Sequence, residues 1–269
     1  MRMLQHLGQI PAACTLLAGT LASAQAQQPL SLDQLLSQIE VNTERYSATV
    51  PSFICNEHIL SQEVHEGKIK RETTVDAVFS VTRSTAKANT LEESREIKLI
   101  DGKPAASKKM TMPLSFSGGF SGALNKFLSS DHRSCFEYAA DASAQPPKGT
   151  AAFTFVAKPA TAKETSCASI QPGTTGKFTV DTASMQVTHI ERTVQNPVGK
   201  DQTVLGTAAV DYAPVVLNGK SFWLPTTITA FTTETSKTNS ARFAARYNDY
   251  HRFAATATIL PADKHPPSR

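Results

Sequence analysis

From residue 53 onward, the apolar residues of this chain recur at every second position, in segments separated by turn-forming residues. That period restricts the fold more than any other feature, because successive side chains of a strand point to opposite faces of a sheet. In IKRETTVDAVFSVTR, Val75, Ala77, Phe79 and Val81 share one face. ESREIKLIDGKPA reads as a second strand closing in the turn pair Asp101-Gly102. Further strands are predicted over 149–158, 175–181, 185–194, 203–217, 221–235 and 240–260. Their junctions carry Pro-Pro-Lys-Gly, Asp-Thr-Ala-Ser, Asn-Pro-Val-Gly and Asn-Gly. Links this short force antiparallel pairing, since parallel neighbours need a long crossover.

Other segments depart from the period. SLDQLLSQIEVNTERYSATV (31–50) reads as a helix, with Leu32, Leu35, Leu36 and Ile39 at helical spacing. Ser31 can cap its N-terminus with Gln34 at the reciprocal capping-box position, and Pro51 stops it. FSGGFSGALNKFLSSDHRSCF begins as a glycine loop. Ala123, Leu124, Phe127 and Leu128 then predict a short amphipathic helix inserted into the β pattern.

The only tryptophan sits in LNGKSFWLP (217–225). Asn218-Gly219 fits the central pair of a type I′ hairpin turn, so Val215–Leu217 should pair back onto Ser221–Trp223. Phe222 and Trp223 then point to opposite faces, as a curved sheet with some cover on both faces would require. Trp223 is expected to anchor this late hairpin against the helices. Pro225 cannot donate a ladder hydrogen bond, so it marks an edge, a bulge or the start of a strand. With the Thr-rich stretch 226–238 it reads as edge protection.

The first 26 residues have the grammar of a cleaved secretory signal: Arg2, the apolar run IPAACTLLAGTLASA, and A-x-A sites ending at Ala24 or Ala26. That run is too short for a stable membrane anchor, and no second long apolar segment follows. The expected organisation is a signal peptide over 1–26, one β-rich domain over 27–260 and a disordered tail over 261–269. The chain's net charge of +4, which loses Arg2 on cleavage, shows no basic cluster, so nucleic acid is not expected as a partner. An exported protein is free to form disulfides. Cys135–Cys167 is the preferred pair, since both flank one strand pair; Cys55 with either is the alternative.

The fold class expected is mainly β with added helices: an antiparallel, strongly curved sheet, or unclosed half-barrel, with an N-terminal helix and a short inserted one. The order of elements resembles the LolA and LolB type of periplasmic lipoprotein carrier, and more closely a group of secreted bacterial proteins of similar layout. VPSFICNEHI (50–59), GGFSGALNKFLSSDHRSCFEY (118–138), GKFTVDTASMQVTHIE (176–191), DYAPVVLNGKSFWLP (211–225) and RYNDYHRF (246–253) carry the resemblance. It implies a half-barrel whose mouth is filled by helices and whose cargo is lipid or a lipoprotein acyl chain. The sequence departs from a carrier in having one Trp where an aromatic-rich cavity is expected.

No catalytic constellation stands out. HEGKI (65–69) lacks the second histidine of a zincin and reads as a turn between polar strands. Ser121 with His132 and Asp131 lacks the strand-to-helix elbow of a serine hydrolase. The remaining histidines are scattered, and no cofactor, metal or catalytic residue is expected. In RYNDYHRF, strict alternation would put Tyr247, Asp249, His251 and Phe253 on one face and Arg246, Asn248, Tyr250 and Arg252 on the other. The leading functional expectation is a secreted, periplasmic or extracellular non-enzymatic binding protein. Its apolar ligand would lie against Phe79, Val81, Phe153, Phe155, Phe178, Ile190, Phe222, Trp223, Leu224 and Ile228. The alternatives are an envelope interaction or sensory protein in which the same residues form a filled core, and, as a third, an enzyme.

Overall fold

Among the described residues, eleven antiparallel strands form one sheet in the order β4-β3-β2-β1-β11-β10-β9-β8-β7-β6-β5. The computed structural model describes residues 31–84, 90–105, 111–159, 165–197, 203–234 and 238–252. The expected signal peptide over 1–26, Phe253 and the expected tail over 261–269 lie outside them. The unit that begins at Ser31 is described by itself. Its chain order is α1 (Leu32–Thr49), β1 (Phe53–His65), β2 (Lys68–Arg83), β3 (Leu91–Ile100), β4 (Lys103–Pro104), α2 (Gly119–Leu128) and α3 (Ser130–Arg133). There follow β5 (Phe136–Ala140), β6 (Thr150–Ala157), β7 (Thr175–Asp181), β8 (Gln186–Pro197), β9 (Thr203–Leu217), β10 (Lys220–Glu234) and β11 (Asn239–Arg252).

Most neighbours in the sheet are neighbours in the chain, as the short turns require. At the hairpin tip Asn218 and Gly219 have φ of 49° and 75°, and Leu217 pairs with Lys220. Only a residue pair that tolerates positive φ at both positions can make this turn match the sheet's twist. The pairing of β1 with β11 joins distant parts of the chain. The meander therefore breaks once, between β4 and β5, which are the two edges, and α2 and α3 occupy that break.

The helices cover one face. Both halves of the α1 capping box form: Ser31 N donates to Gln34 Oε1 at 2.9 Å, and Gln34 N donates to Ser31 Oγ at 3.3 Å. Leu35, Leu36, Ile39 and Tyr46 bury the face of α1 that meets the sheet. Asn42 holds the β7–β8 turn by donating to the Met185 carbonyl at 2.8 Å. Tyr46 donates to the Phe120 carbonyl at 3.0 Å, fixing α1 to α2. Phe120 in turn meets Phe53, Phe79 and Tyr247 with ring centroids 5.0–5.5 Å apart.

Bulges reset the alternation in several strands. Opposite Cys55, β11 carries an extra residue, and Asp249 takes φ of 55°. Strict alternation across 246–253 therefore fails: Tyr247 and Tyr250 both pack into the core, Tyr250 against Phe53 at 5.8 Å. A one-residue insertion is enough to flip every later side chain. The expectation of a protected edge at Pro225 and 226–238 also fails, because β10 lies between β9 and β11. Pro225 sits at a bulge beyond the last β10–β11 pair, Thr227 with Arg246, where its missing N–H breaks no bond to β11. The Tyr250 hydroxyl caps its carbonyl.

Candidate ligand cleft

The glycine loop before α2 holds the helix end close to the sheet. Gly118 takes φ of 75°, and its N–H donates to the Glu93 carboxylate at 3.0 Å. A Cβ on Gly119 would lie 2.4 Å from the Phe116 ring, so a larger residue would push the loop away. From there Gly119, Gly122, Ala123, Lys126 and Phe127 follow one helical face at i, i+3, i+4, i+7 and i+8. The small members of that face leave space above the sheet. A Cβ built on Gly122 meets nothing within 4 Å.

Beneath it lie two cross-strand pairs of β8 and β9, Ile190 with Val210 and Arg192 with Ala208. Between helix and sheet is a cleft of about 220 Å³, completed by Phe116, Ser117 and Gly118. Its side chains are apolar apart from Ser117, Lys126 and Arg192. Burial lowers the Lys126 ammonium below its ordinary value, and the Arg192 charge lowers it further. Burial alone lowers Arg192. Among the described residues neither cation has a hydrogen bond or ion pair, and no carboxylate lines the cleft.

Of the residues that the sequence suggested for a ligand, Ile190 lines this cleft. Ile228 is close by, its Cδ1 3.4 Å from where a Gly119 Cβ would stand. Phe79 and Val81 are buried on β2, with Phe79 5.1 Å from Phe120. Phe153, Phe155 and Phe178 form an aromatic cluster with Phe127, Phe136 and Tyr138, and Phe155 stacks on Phe127 at 5.1 Å. Leu224 is fully buried, while Phe222 and Trp223 are half-buried against the core. Cys135 and Cys167 form a disulfide, and Cys55 is a buried free thiol. A structural disulfide belongs to an oxidising compartment.

Sequence reasoning passed over Lys126, Arg192 and the glycine face of α2. The signal was present in the helical spacing of 119, 122, 123, 126 and 127. It acquires meaning only once that face is known to overlie β8 and β9. Glu57 was also passed over, although it stands in phase with Phe53, Cys55 and Ile59. Its carboxylate is fully buried, pairs with Arg95 at 2.7 Å and accepts from the Tyr247 hydroxyl at 2.8 Å.

The titratable groups elsewhere make local contacts. His58 meets Asp76 at 2.6 Å and His189 meets Asp211 at 2.6 Å, each a cross-strand pair. His132 Nδ1 lies 3.2 Å from both Ser129 Oγ and the Asn125 carbonyl, so it belongs to the α2–α3 junction. Among the described residues no group of three His, Cys, Asp or Glu is placed to hold a metal ion. Among the same residues no helix is long and apolar enough to cross a membrane. A second concavity, of about 310 Å³, lies over Thr207, Ala209, Thr229, Phe231 and Ala244. No helix lines it.

No protein-family model matches the chain, and no curated protein matches it in sequence. In structure it is similar to a LolA superfamily protein from Nitrosomonas europaea, at 8% identity and a TM-score of 0.36. That match covers 82% of this chain and 94% of the other. It is also similar to a DUF1329 family protein from Desulfovibrio piger, at 9% identity and a TM-score of 0.37, over 84% of this chain and 94% of that one. The half-barrel assignment rests on the strand order and the helix-covered face described above.

Proposed function

We propose that this is an exported, non-enzymatic binding protein that shelters the apolar part of a ligand, such as an acyl chain, beneath α2. The observation that carries the reading is the two-layer cleft, in which Gly119, Gly122 and Ala123 leave space over an apolar floor. Each CH₂ moved from water into such a site contributes about 0.8 kcal/mol, so a short apolar segment binds usefully without catalytic groups. At 220 Å³ the cleft is smaller than the ~300–1,000 Å³ typical of enclosed small-molecule sites, which fits a partly exposed ligand.

The test is native mass spectrometry of protein purified without detergent, beside a Gly122→Leu variant. Gly122 lines the cleft and a Cβ there meets nothing within 4 Å, so a leucine is expected to take up cleft space without displacing the backbone. The expected result is an added ligand mass on the wild type that G122L loses while keeping its thermal stability. Bare polypeptide from both, with no uptake of added decanol or decanoate, would remove this reading. The alternative, an envelope interaction protein with a filled core, draws on the dense packing of Phe79, Phe155, Phe178 and Leu224. It predicts that G122L changes nothing.

A further inference from the structure

We infer that the ligand is an acidic amphiphile, whose oxyanion head is held by Lys126 and Arg192 while its apolar tail lies along Gly122, Ala123, Ile190 and Val210. This rests on the binding reading above and narrows it to a chemical class.

The geometry gives two cations and, among the described residues, no carboxylate in the cleft lining. Lys126 comes from α2 and Arg192 from β8, so helix and sheet each place one at the same cleft. Elsewhere, in contrast, buried or half-buried arginines of this protein are paired. Arg95 meets Glu57, and Arg133 meets Glu40 at 3.1 Å and Asp33 at 3.2 Å. Arg83 donates to the Ser47 carbonyl at 3.0 Å and the Val50 carbonyl at 2.6 Å. Glu191 alternates to the opposite side of β8 and pairs with Lys177 at 3.5 Å. Glu93 faces the Gly118 N–H. Arg192 is half-buried and Lys126 is exposed at the cleft mouth. Two like charges at one cleft raise each other's energy, and for Arg192 partial burial without a partner adds to the cost.

A ligand oxyanion removes both costs at once. A carboxylate or phosphate accepts a bidentate pair from the guanidinium and a further bond from the ammonium. Apart from Ser117 and the glycine backbone, the rest of the lining offers such a ligand apolar side chains. A neutral lipid would gain the tail contacts and leave the cations unpaired. A small free anion would gain the charge contacts and leave the apolar walls wet.

The test is calorimetric titration of the full mature chain with decanoate, 1-decanol and acetate, repeated on Arg192→Gln and Lys126→Gln. Decanoate is expected to bind at least tenfold more tightly than 1-decanol, and acetate not measurably. Either substitution should shrink the decanoate-to-decanol ratio to below about threefold, with the larger loss falling on decanoate. Arg192→Lys keeps the charge, guards against a folding defect, and should retain an intermediate ratio. Equal binding of decanoate and 1-decanol by the wild type would overturn the anionic head while leaving the apolar cleft standing. Acetate binding as tightly as decanoate would also overturn it, leaving a simple anion site. Binding of none of the three would remove both this inference and the reading beneath it.

Discussion

At the scale of residues, the buried charge is the most exposed to test. Glu57 is fully buried, Arg95 largely so, and the guanidinium of Arg95 lies 5.6 Å from the centre of the Phe79 ring. Removing one member leaves the other desolvated and alone, so Glu57→Ala should destabilise by roughly 3–5 kcal/mol in urea unfolding. Replacing both, with Glu57→Leu and Arg95→Met, should cost clearly less. An equal or larger loss in the double variant would show that the pair itself contributes net stability. Cys55 is a second case. Burial first, and then the Glu57 charge, push its thiol from the ordinary 9.0 up to about 12. The folded state thus binds this proton more tightly than the unfolded state does. Its contribution is complete below pH 9.0 and is lost as pH rises from there towards about 12. Burial likewise raises Tyr46, Tyr138, Tyr212, Tyr247 and Tyr250, so the alkaline loss is shared among buried acids. Native protein should leave Cys55 unmodified by iodoacetamide at pH 8, and should react in urea; rapid native labelling would contradict its burial.

Among the elements, the β9–β10 hairpin separates what a residue type suggests from what its position does. Trp223 is the conspicuous residue, but it is half-buried opposite Pro214, whereas Leu224 beside it is fully buried. Leu224→Ala should cost about 2–5 kcal/mol, the usual range for emptying a packed leucine site. Trp223→Ala should cost less than Leu224→Ala, because part of its ring already meets water. Thermal melts of the two variants decide the order, and a larger loss at Trp223 would restore it as the hairpin's anchor. The helix α2 shows the converse, since its glycines look like weak points. Gly119 and Gly122 in fact serve the two ends of one task, close approach to Phe116 and clearance for the cleft.

For the whole molecule, the β1–β11 pairing and the Cys135–Cys167 disulfide hold together parts that the chain order separates. The disulfide spans 32 residues and ties the start of β5, an edge strand, to the short helical turn Thr165–Ser169. In the chain-entropy account a loop of that size is worth roughly 3–4 kcal/mol. Reduction, or a Cys135→Ala/Cys167→Ala variant, should lower the unfolding midpoint accordingly and loosen β5 first in hydrogen exchange. Uniform loosening across the sheet would mean that the edge is not a separate unit.

Much of this architecture is legible in the amino-acid sequence, because it depends on neighbours in the chain. The period-two segments, the Asn218-Gly219 turn, the Ser31–Gln34 capping box and the stop at Pro51 are local steric and hydrogen-bonding matters. So is antiparallel pairing across short links. The choice of Cys135 with Cys167 follows from strands adjacent in sequence. What the tertiary structure decided is of another kind. Alternation could not foresee the bulge at Asp249, and one extra residue turned Tyr250 inward. Nor could composition show that β10 is interior, since an edge is defined by the absence of a partner that only folding supplies. Glu57 and Tyr247 meet across 190 residues. Lys126 and Arg192 share a cleft because a helix inserted at the break in the meander lies over β8 and β9. Local sequence specifies elements and turns; which elements face one another depends on closing the sheet through β1 and β11, and that is where the candidate site arises.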